Sequence, residues 1–362
     1  MHFTVIQTLT EMELLGDEWN TLLSNSASHV PFLRHEYLTA WWKTLGGGEW
    51  KQAELFIVIG RIDTGGPLVG IAPLFFTLNR ENKPALMLLG SIEISDYLDV
   101  IAKPEDLAQF LEGLLEFLNG PAAPAWSVLD WHNLLESSQT LTILEELSIR
   151  HGYSFSKELL QHCPYIPLPG DWQSYLASID KKQRHEIRRK MRRALDFEKP
   201  VHWYIVEEVA DLDEEIEAFL RLMAQDPQKD KFLSEMMRMQ MKTALRAAFQ
   251  AGWLQLAFIE VGGEKAAAYL NFDYGDHIWV YNSGLDVRFR DLSLGWVLLG
   301  YLIQWAIDRG RHCFDFMRGD EDYKYRFGAI DRRVVRVQVS RGRINPKHPA
   351  PQNHIAGMRL GA

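Results

Sequence analysis

The sequence predicts an α/β (α+β) protein made of two related units in tandem, and three observations carry that expectation. Residues 55–76 (LFIVIGRIDTGGPLVGIAPLFF) and 254–274 (LQLAFIEVGGEKAAAYLNFDY) share one pattern: strand, Gly-Gly turn, strand. Each is followed by more strand, by an apolar helix ending in glycine (Gly120, Gly310), and by a strand carrying an aspartate (Asp130, Asp315). Between the two runs, Pro164, Pro167, Pro169 and Gly170 deny the backbone the donors that regular structure needs. The expected division is a first unit over 1–165, a second over 166–345, and a tail over 346–362.

Bulk properties narrow the class. A chain of 362 residues with 47% hydrophobic content can fill two cores. Its net charge of -9 argues against nucleic acid as a partner for the surface as a whole. Cys163 and Cys313 have neither metal nor redox spacing and lie in apolar runs, so they read as buried thiols in a reducing cytoplasm, and no metal site is expected. The opening residues lack a basic, then apolar, leader pattern, and no run approaches the ~20 apolar residues of a membrane span. Any membrane contact is therefore expected to be peripheral.

In chain order, residues 10–24 predict a helix with Thr10 and Glu13 as a capping box, and 34–45 a second helix stopped by Gly46, Gly47 and Gly48. Residues 54–62 and 68–78 predict a hairpin, and 85–89 and 97–102 short strands. Helix 104–118 starts at a proline; strand 126–131, helix 138–150 and an extended run from Tyr153 complete the first unit. In the second, Asp171 caps a helical region to about residue 197, and 201–207 is a strand. Amphipathic helices 212–225 and 231–251 flank Asp226-Pro227, hairpin strands 253–261 and 265–274 follow, and 333–339 is the last strand.

Residues 277–328 carry the chemistry. A β run (His277 to Gly284) leads to a basic loop with Arg288, Arg290, Ser293, Leu294 and Gly295. An apolar helix follows, with Trp296, Leu299, Ile303 and Ala306 at helical spacing. Main-chain N–H groups at a helix N-terminus beside a glycine suit an anion, and two arginines suggest a phosphate-bearing one. The strand after the helix ends in FDFMRGDEDYKYRFG, an Asp, an Arg-Gly, a Tyr-Lys and a Phe-Gly.

This strand–loop–helix–strand order and that tail resemble the cofactor half of a GNAT-type N-acyltransferase of the CelD-like and FemAB-like branch. The usual Q/R-x-x-G-x-G/A loop is reduced here to Ser293-Leu294-Gly295 and the upstream arginines. The resemblance implies tandem units, each with a mixed, mostly antiparallel sheet flanked by helices. It implies acetyl-CoA or another acyl-CoA as co-substrate, its pyrophosphate held by Arg288, Arg290, Ser293, Leu294 and Gly295. It also implies that the strand bearing Tyr281 and Asn282 parts from its neighbour to receive the thioester.

Aminolysis of a thioester needs a base for the amine, a polarised carbonyl and a proton for sulfur. Lys324 suits polarisation, Tyr323 donation to sulfur, and Asp315 orientation or the base; Tyr281 either faces the reaction centre or is a core aromatic with its hydroxyl satisfied. Candidate substrate contacts are Asn282, Arg318, the Asp96-Tyr97-Leu98-Asp99 turn, and Arg184 and Arg188. The last two belong to the most basic stretch, 181–199, an amphipathic helix suited to CoA phosphates, a phospholipid, tRNA or an anionic membrane. The resulting expectation is a cytoplasmic acyltransferase acting on an amine of a carbohydrate, lipid or amino-acid-like acceptor. The alternatives are aminoacyl-tRNA-dependent transfer, and a non-catalytic scaffold in polysaccharide biosynthesis.

Overall fold

The computed structural model describes residues 1–341; the tail expected over 346–362 lies outside them. The first half runs β1 (His2–Ile6), α1 (Leu9–Glu13), α2 (Gly16–Leu23), α3 (His35–Gly48), β2 (Glu54–Leu55), β3 (Ile57–Arg61), β4 (Leu68–Ala72), β5 (Leu74–Leu78), β6 (Pro84–Leu88), β7 (Ile101–Ala102), α4 (Leu107–Leu118), β8 (Val128–Leu135), α5 (Gln139–Arg150) and β9 (Ser154–His162). The second runs β10 (Tyr165–Pro167), α6 (Trp172–Ser178), α7 (Lys181–Leu195), β11 (Val201–Ile205), α8 (Leu212–Met223), α9 (Pro227–Phe232), α10 (Glu235–Gln250), β12 (Leu254–Val261), β13 (Glu264–Tyr274), β14 (His277–Leu285), α11 (Leu294–Asp308), β15 (Cys313–Asp315), α12 (Asp322–Arg326) and β16 (Arg333–Ser340).

Three sheets result, ordered β1-β3-β4-β7, β2-β5-β6-β8-β16-β9 and β10-β15-β14-β13-β12-β11. The expected hairpin over 54–78 is split between the first two, because Pro73 interrupts the ladder between β4 and β5. The capping box forms two residues earlier than expected, between Thr8 and Glu11. The expected helix 231–251 is preceded by α9, which Asp226 caps through the N–H groups of Gln228 and Lys229.

The halves interlock, which corrects the expected division. β16, assigned to the second unit, inserts between β8 and β9 of the first, while β10, which follows β9 directly, leaves that sheet to pair with β15. α3 packs on α10, with Thr44 donating to Gln240 at 2.5 Å. Along the central parts of β12–β14 the apolar side chains alternate between two cores. Leu256, Phe258, Leu270, Phe272 and Trp279 join the core shared with the first half. Ala257, Ile259, Tyr269, Ile278 and Val280 face α7 and α11 in a second core.

Both halves contain a strand–helix–parallel strand unit. β6, α4 and β8 form one, paired only at Ala85–Val128 and Leu86–Leu129. β14, α11 and β15 form the other, paired only over His277–Trp279 with Cys313–Asp315. Past these contacts each strand pair parts.

Candidate active site

The parting of β14 from β15 begins at a bulge. Asn271 pairs with Val280 and Leu270 with Asn282, so Tyr281 is the extra residue. β15 leaves the sheet after Asp315 through Met317 and Gly319, both at positive φ. On the exposed edge of β14, side chains take the place of a strand partner. The Ser283 N–H donates to the Asn282 side-chain oxygen at 2.8 Å, and the Ser283 carbonyl accepts from Lys229 Nζ at 2.6 Å.

Lys229 lies just after Asp226-Pro227 and is half-buried. Burial lowers its pKa, against the opposing charges of Asp226 and Glu321. Glu321 also bears on Tyr269 and Tyr323, whose hydroxyls burial, the larger cause, already pushes up. Lys229, Ser283, Tyr269, Glu321 and Tyr323 thus gather at the opening. The Tyr323 hydroxyl has no hydrogen-bond partner among the described residues and is available to a ligand. Sequence reading named Tyr323 and Asn282 for this place but missed Lys229 and Tyr269. Lys229 sits in the short helix α9 with no motif to mark it, and Tyr269 reads as one more apolar strand residue.

The loop beyond β14 forms a 3₁₀ turn over Val287–Leu292, and Ser293 adopts a left-handed conformation (φ 55) that swings the chain into α11. The Leu294 and Gly295 N–H groups have no partner among the described residues, as expected for a first helical turn. At Gly295 an added Cβ would come within 2.7 Å of the end of Leu285. Arg290 is exposed and makes no ion pair among the described residues. Arg288, expected to hold phosphate, is instead gripped by Asp286 at 2.7 Å and Glu264 at 2.9 Å. This loop therefore offers an anion two N–H groups and one uncommitted arginine.

Several expected site residues are committed to structure. Lys324 is buried and donates to the carbonyls of Phe316, Arg318 and Gly319 at 3.0–3.2 Å, with Glu321 at 2.8 Å. Its ammonium holds the turn after β15, which corrects its expected place at the carbonyl. Asp315 is fully buried, accepts from the Tyr97 hydroxyl at 2.9 Å and the Met317 N–H at 2.8 Å, and pairs with Arg332. Arg318 pairs with Asp96 and donates to the Glu93 carbonyl at 2.6 Å. The Tyr281 hydroxyl donates to the Ile94 carbonyl at 3.0 Å, its ring 5.4 Å from Phe272, so the core-aromatic reading holds. Asp99 is buried under Ser28 and Ser138, each at 2.6 Å, and burial raises its pKa; it closes a turn and presents no carboxylate to a cleft. Arg184 and Arg188 lie on α7, across the sheet from Asp96. Both cysteines are free and buried, and burial pushes their thiols up to about 12 (Cys163) and about 11 (Cys313).

Residues 181–325, which contain the opening, match the family model described as Acetyltransferase (GNAT) domain. The chain has a GNAT-type fold. FemX superimposes with a TM-score of 0.64 at 12% identity, covering 93% of this chain and 97% of that one. The C-terminal domain (DUF2156) of a putative lysylphosphatidylglycerol synthetase from Agrobacterium fabrum gives 0.55 at 10% identity, covering 92% and 93%. L-PGS from Bacillus licheniformis gives 0.53 at 11% identity, covering 91% and 93%. No curated protein matches the chain. The GNAT-type fold accounts for the parted strands and for the helix that starts beside them.

Proposed function

We propose that this protein is a cytoplasmic N-acyltransferase moving an acyl group from acyl-CoA to an amine of a carbohydrate, lipid or amino-acid-like acceptor in cell-envelope or polysaccharide synthesis. The observation that carries this reading is the exposed edge of β14, with Lys229 on its Ser283 carbonyl, next to the first turn of α11. In this reading the Leu294 and Gly295 N–H groups and Arg290 hold the pyrophosphate. Lys229, in its protonated form, polarises the thioester carbonyl, and the lower dielectric of its half-buried place strengthens that pull. Glu321 takes a proton from the amine as the C–N bond forms. Tyr323 protonates the sulfur as the C–S bond breaks and regains its proton from Glu321.

A second reading, transfer of an amino acid from aminoacyl-tRNA, is favoured by the overlay on FemX along 93% of the chain. It keeps the same opening and changes the donor. The test is incubation with acetyl-CoA or aminoacyl-tRNA and a panel of amino sugars, aminolipids and amino acids, reading products by mass. Acetylated amine with stoichiometric free CoA supports the first reading, and aminoacylated product the second. Failure to bind either donor sinks both and leaves a non-catalytic scaffold.

A further inference from the structure

The strongest feature outside the opening is the outer face of α7. Its fifteen residues, KKQRHEIRRKMRRAL, hold eight Lys and Arg against one Glu, a net +7 in a chain of net -9, which leaves -16 for everything else. At 1.5 Å per residue the helix is about 22 Å long. Ile187 and Ala194 are buried, and Met191 packs toward Gly300 of α11, so one face is fixed to the protein. Lys181, Lys182, Arg188, Arg189, Arg192 and Arg193 are exposed on the other. Elsewhere among the described residues, half of the exposed Lys and Arg have a carboxylate partner. Of these six only Arg189 has one, Glu186, among the described residues.

The stripe ends beside exposed aliphatic side chains. Leu195, at the last turn of α7, is 68% exposed. Val287, in the 3₁₀ turn that packs on α7, is 67% exposed. Single-stranded nucleic acid is gripped by cations interleaved with aromatic platforms, and α7 has no Phe, Tyr or Trp. A row of cations with protruding aliphatics is instead what sits at an anionic lipid surface, the cations on headgroup phosphates and the aliphatics at the acyl boundary.

We infer that α7 and the adjoining 3₁₀ turn form a docking face for an anionic phospholipid membrane. This goes beyond the proposed transfer reaction and does not depend on it. The acidic remainder of the molecule is repelled by the same surface, so charge also fixes which side faces the lipid. The α11 N-terminus begins at the end of that turn, so the docked molecule carries its donor-binding loop close to the bilayer.

The test is co-sedimentation of the full chain with vesicles of phosphatidylcholine alone or with about 30 mol % phosphatidylglycerol, at about 50 mM salt, where screening is weak. We expect partitioning onto the mixed vesicles at least tenfold above neutral ones, and its loss near 0.5 M salt, where the Debye length falls to roughly 4 Å. The variant Lys182→Glu/Arg192→Glu/Arg193→Glu should lose at least tenfold, and Val287→Asp a smaller factor. Equal binding to both vesicle types by the wild-type chain would overturn the inference without any variant needing to fold. Tight binding to a tRNA-sized RNA with vesicles ignored would also overturn it, assigning the face to nucleic acid.

Discussion

The two parallel strand pairs part in the same way and are used differently. Beyond Leu86 and Leu129, the edge of β8 is covered by its own unit's loop: Asn133 donates to the Ile92 and Ser95 carbonyls at 2.7 and 2.8 Å, and its carbonyl accepts from Leu98 N–H at 3.1 Å. Beyond Trp279 and Asp315, the edge of β14 is hydrogen-bonded, among the described residues, by the side chains of Lys229 and Asn282. The covering loop also braces the second unit, sending Asp96 to Arg318 and Tyr97 to Asp315. One topology thus supplies an exposed strand edge twice, and what occupies the edge decides whether it is scaffold or site.

The brace is where breakage should cost most. Asp315→Ala leaves Arg332 without its carboxylate and Tyr97 without its acceptor. It should lower stability by about 3–5 kcal/mol in urea titration, the range for breaking a buried ion pair. A loss below about 1 kcal/mol, the exposed-pair range, would show that the halves do not depend on it.

Next in size is the open edge. Lys229→Met should lower kcat by about 10²–10³-fold with the fold kept, the cost of losing one polarising group. Lys324→Met should chiefly lower Tm, because that ammonium serves three carbonyls of a turn. Normal Tm with lost turnover in Lys324→Met would return it to the reaction centre.

Smaller again is the covered edge. Asn133→Ala removes hydrogen bonds to two buried carbonyls and should cost about 2 kcal/mol, with donor affinity unchanged. A drop in affinity would mean that both edges hold ligand.

The smallest effect is a pH slope in the first unit. Burial alone would raise the Asp130 pKa, but the Arg336 guanidinium at 2.7 Å and then His132 outweigh it and hold the carboxyl well below its usual range. The folded pKa lies below the unfolded value of about 3.9, so the pair's stability is full above that pH and drains as pH falls further. Acid titration of Asp130→Asn should show a shallower loss than wild type below about pH 4. An identical slope would assign acid sensitivity elsewhere.

Local pattern made much of the fold legible. Gly262-Gly263 turns β12 into β13, and Gly310, at φ 70, stands just past the C-cap of α11, where its position implied. What local pattern does not contain is a partner two hundred residues away. Asp96 and Tyr97 read as a turn before a strand, yet Tyr97 takes a positive φ and reaches Asp315, so only Ile101–Ala102 of the expected strand 97–102 forms. β16 has an apolar alternation that suits either sheet, and only the gap between β8 and β9 places it. Lys229 gains its burial from β14, not from its neighbours in sequence, and the same holds for the tie between Arg288 and Glu264.

Isothermal titration with acetyl-CoA tests most directly the claim that the second edge alone is the donor site. Gly295→Glu places a carboxylate at the α11 N-terminus, and the contact it makes is with the flexible, exposed end of Leu285, so the fold should persist. Wild type and Asn133→Ala should bind one acetyl-CoA per chain, and Gly295→Glu should bind it well over tenfold more weakly, a loss of more than about 1.4 kcal/mol. Two molecules per chain, or undiminished binding in a folded Gly295→Glu variant, would contradict that claim.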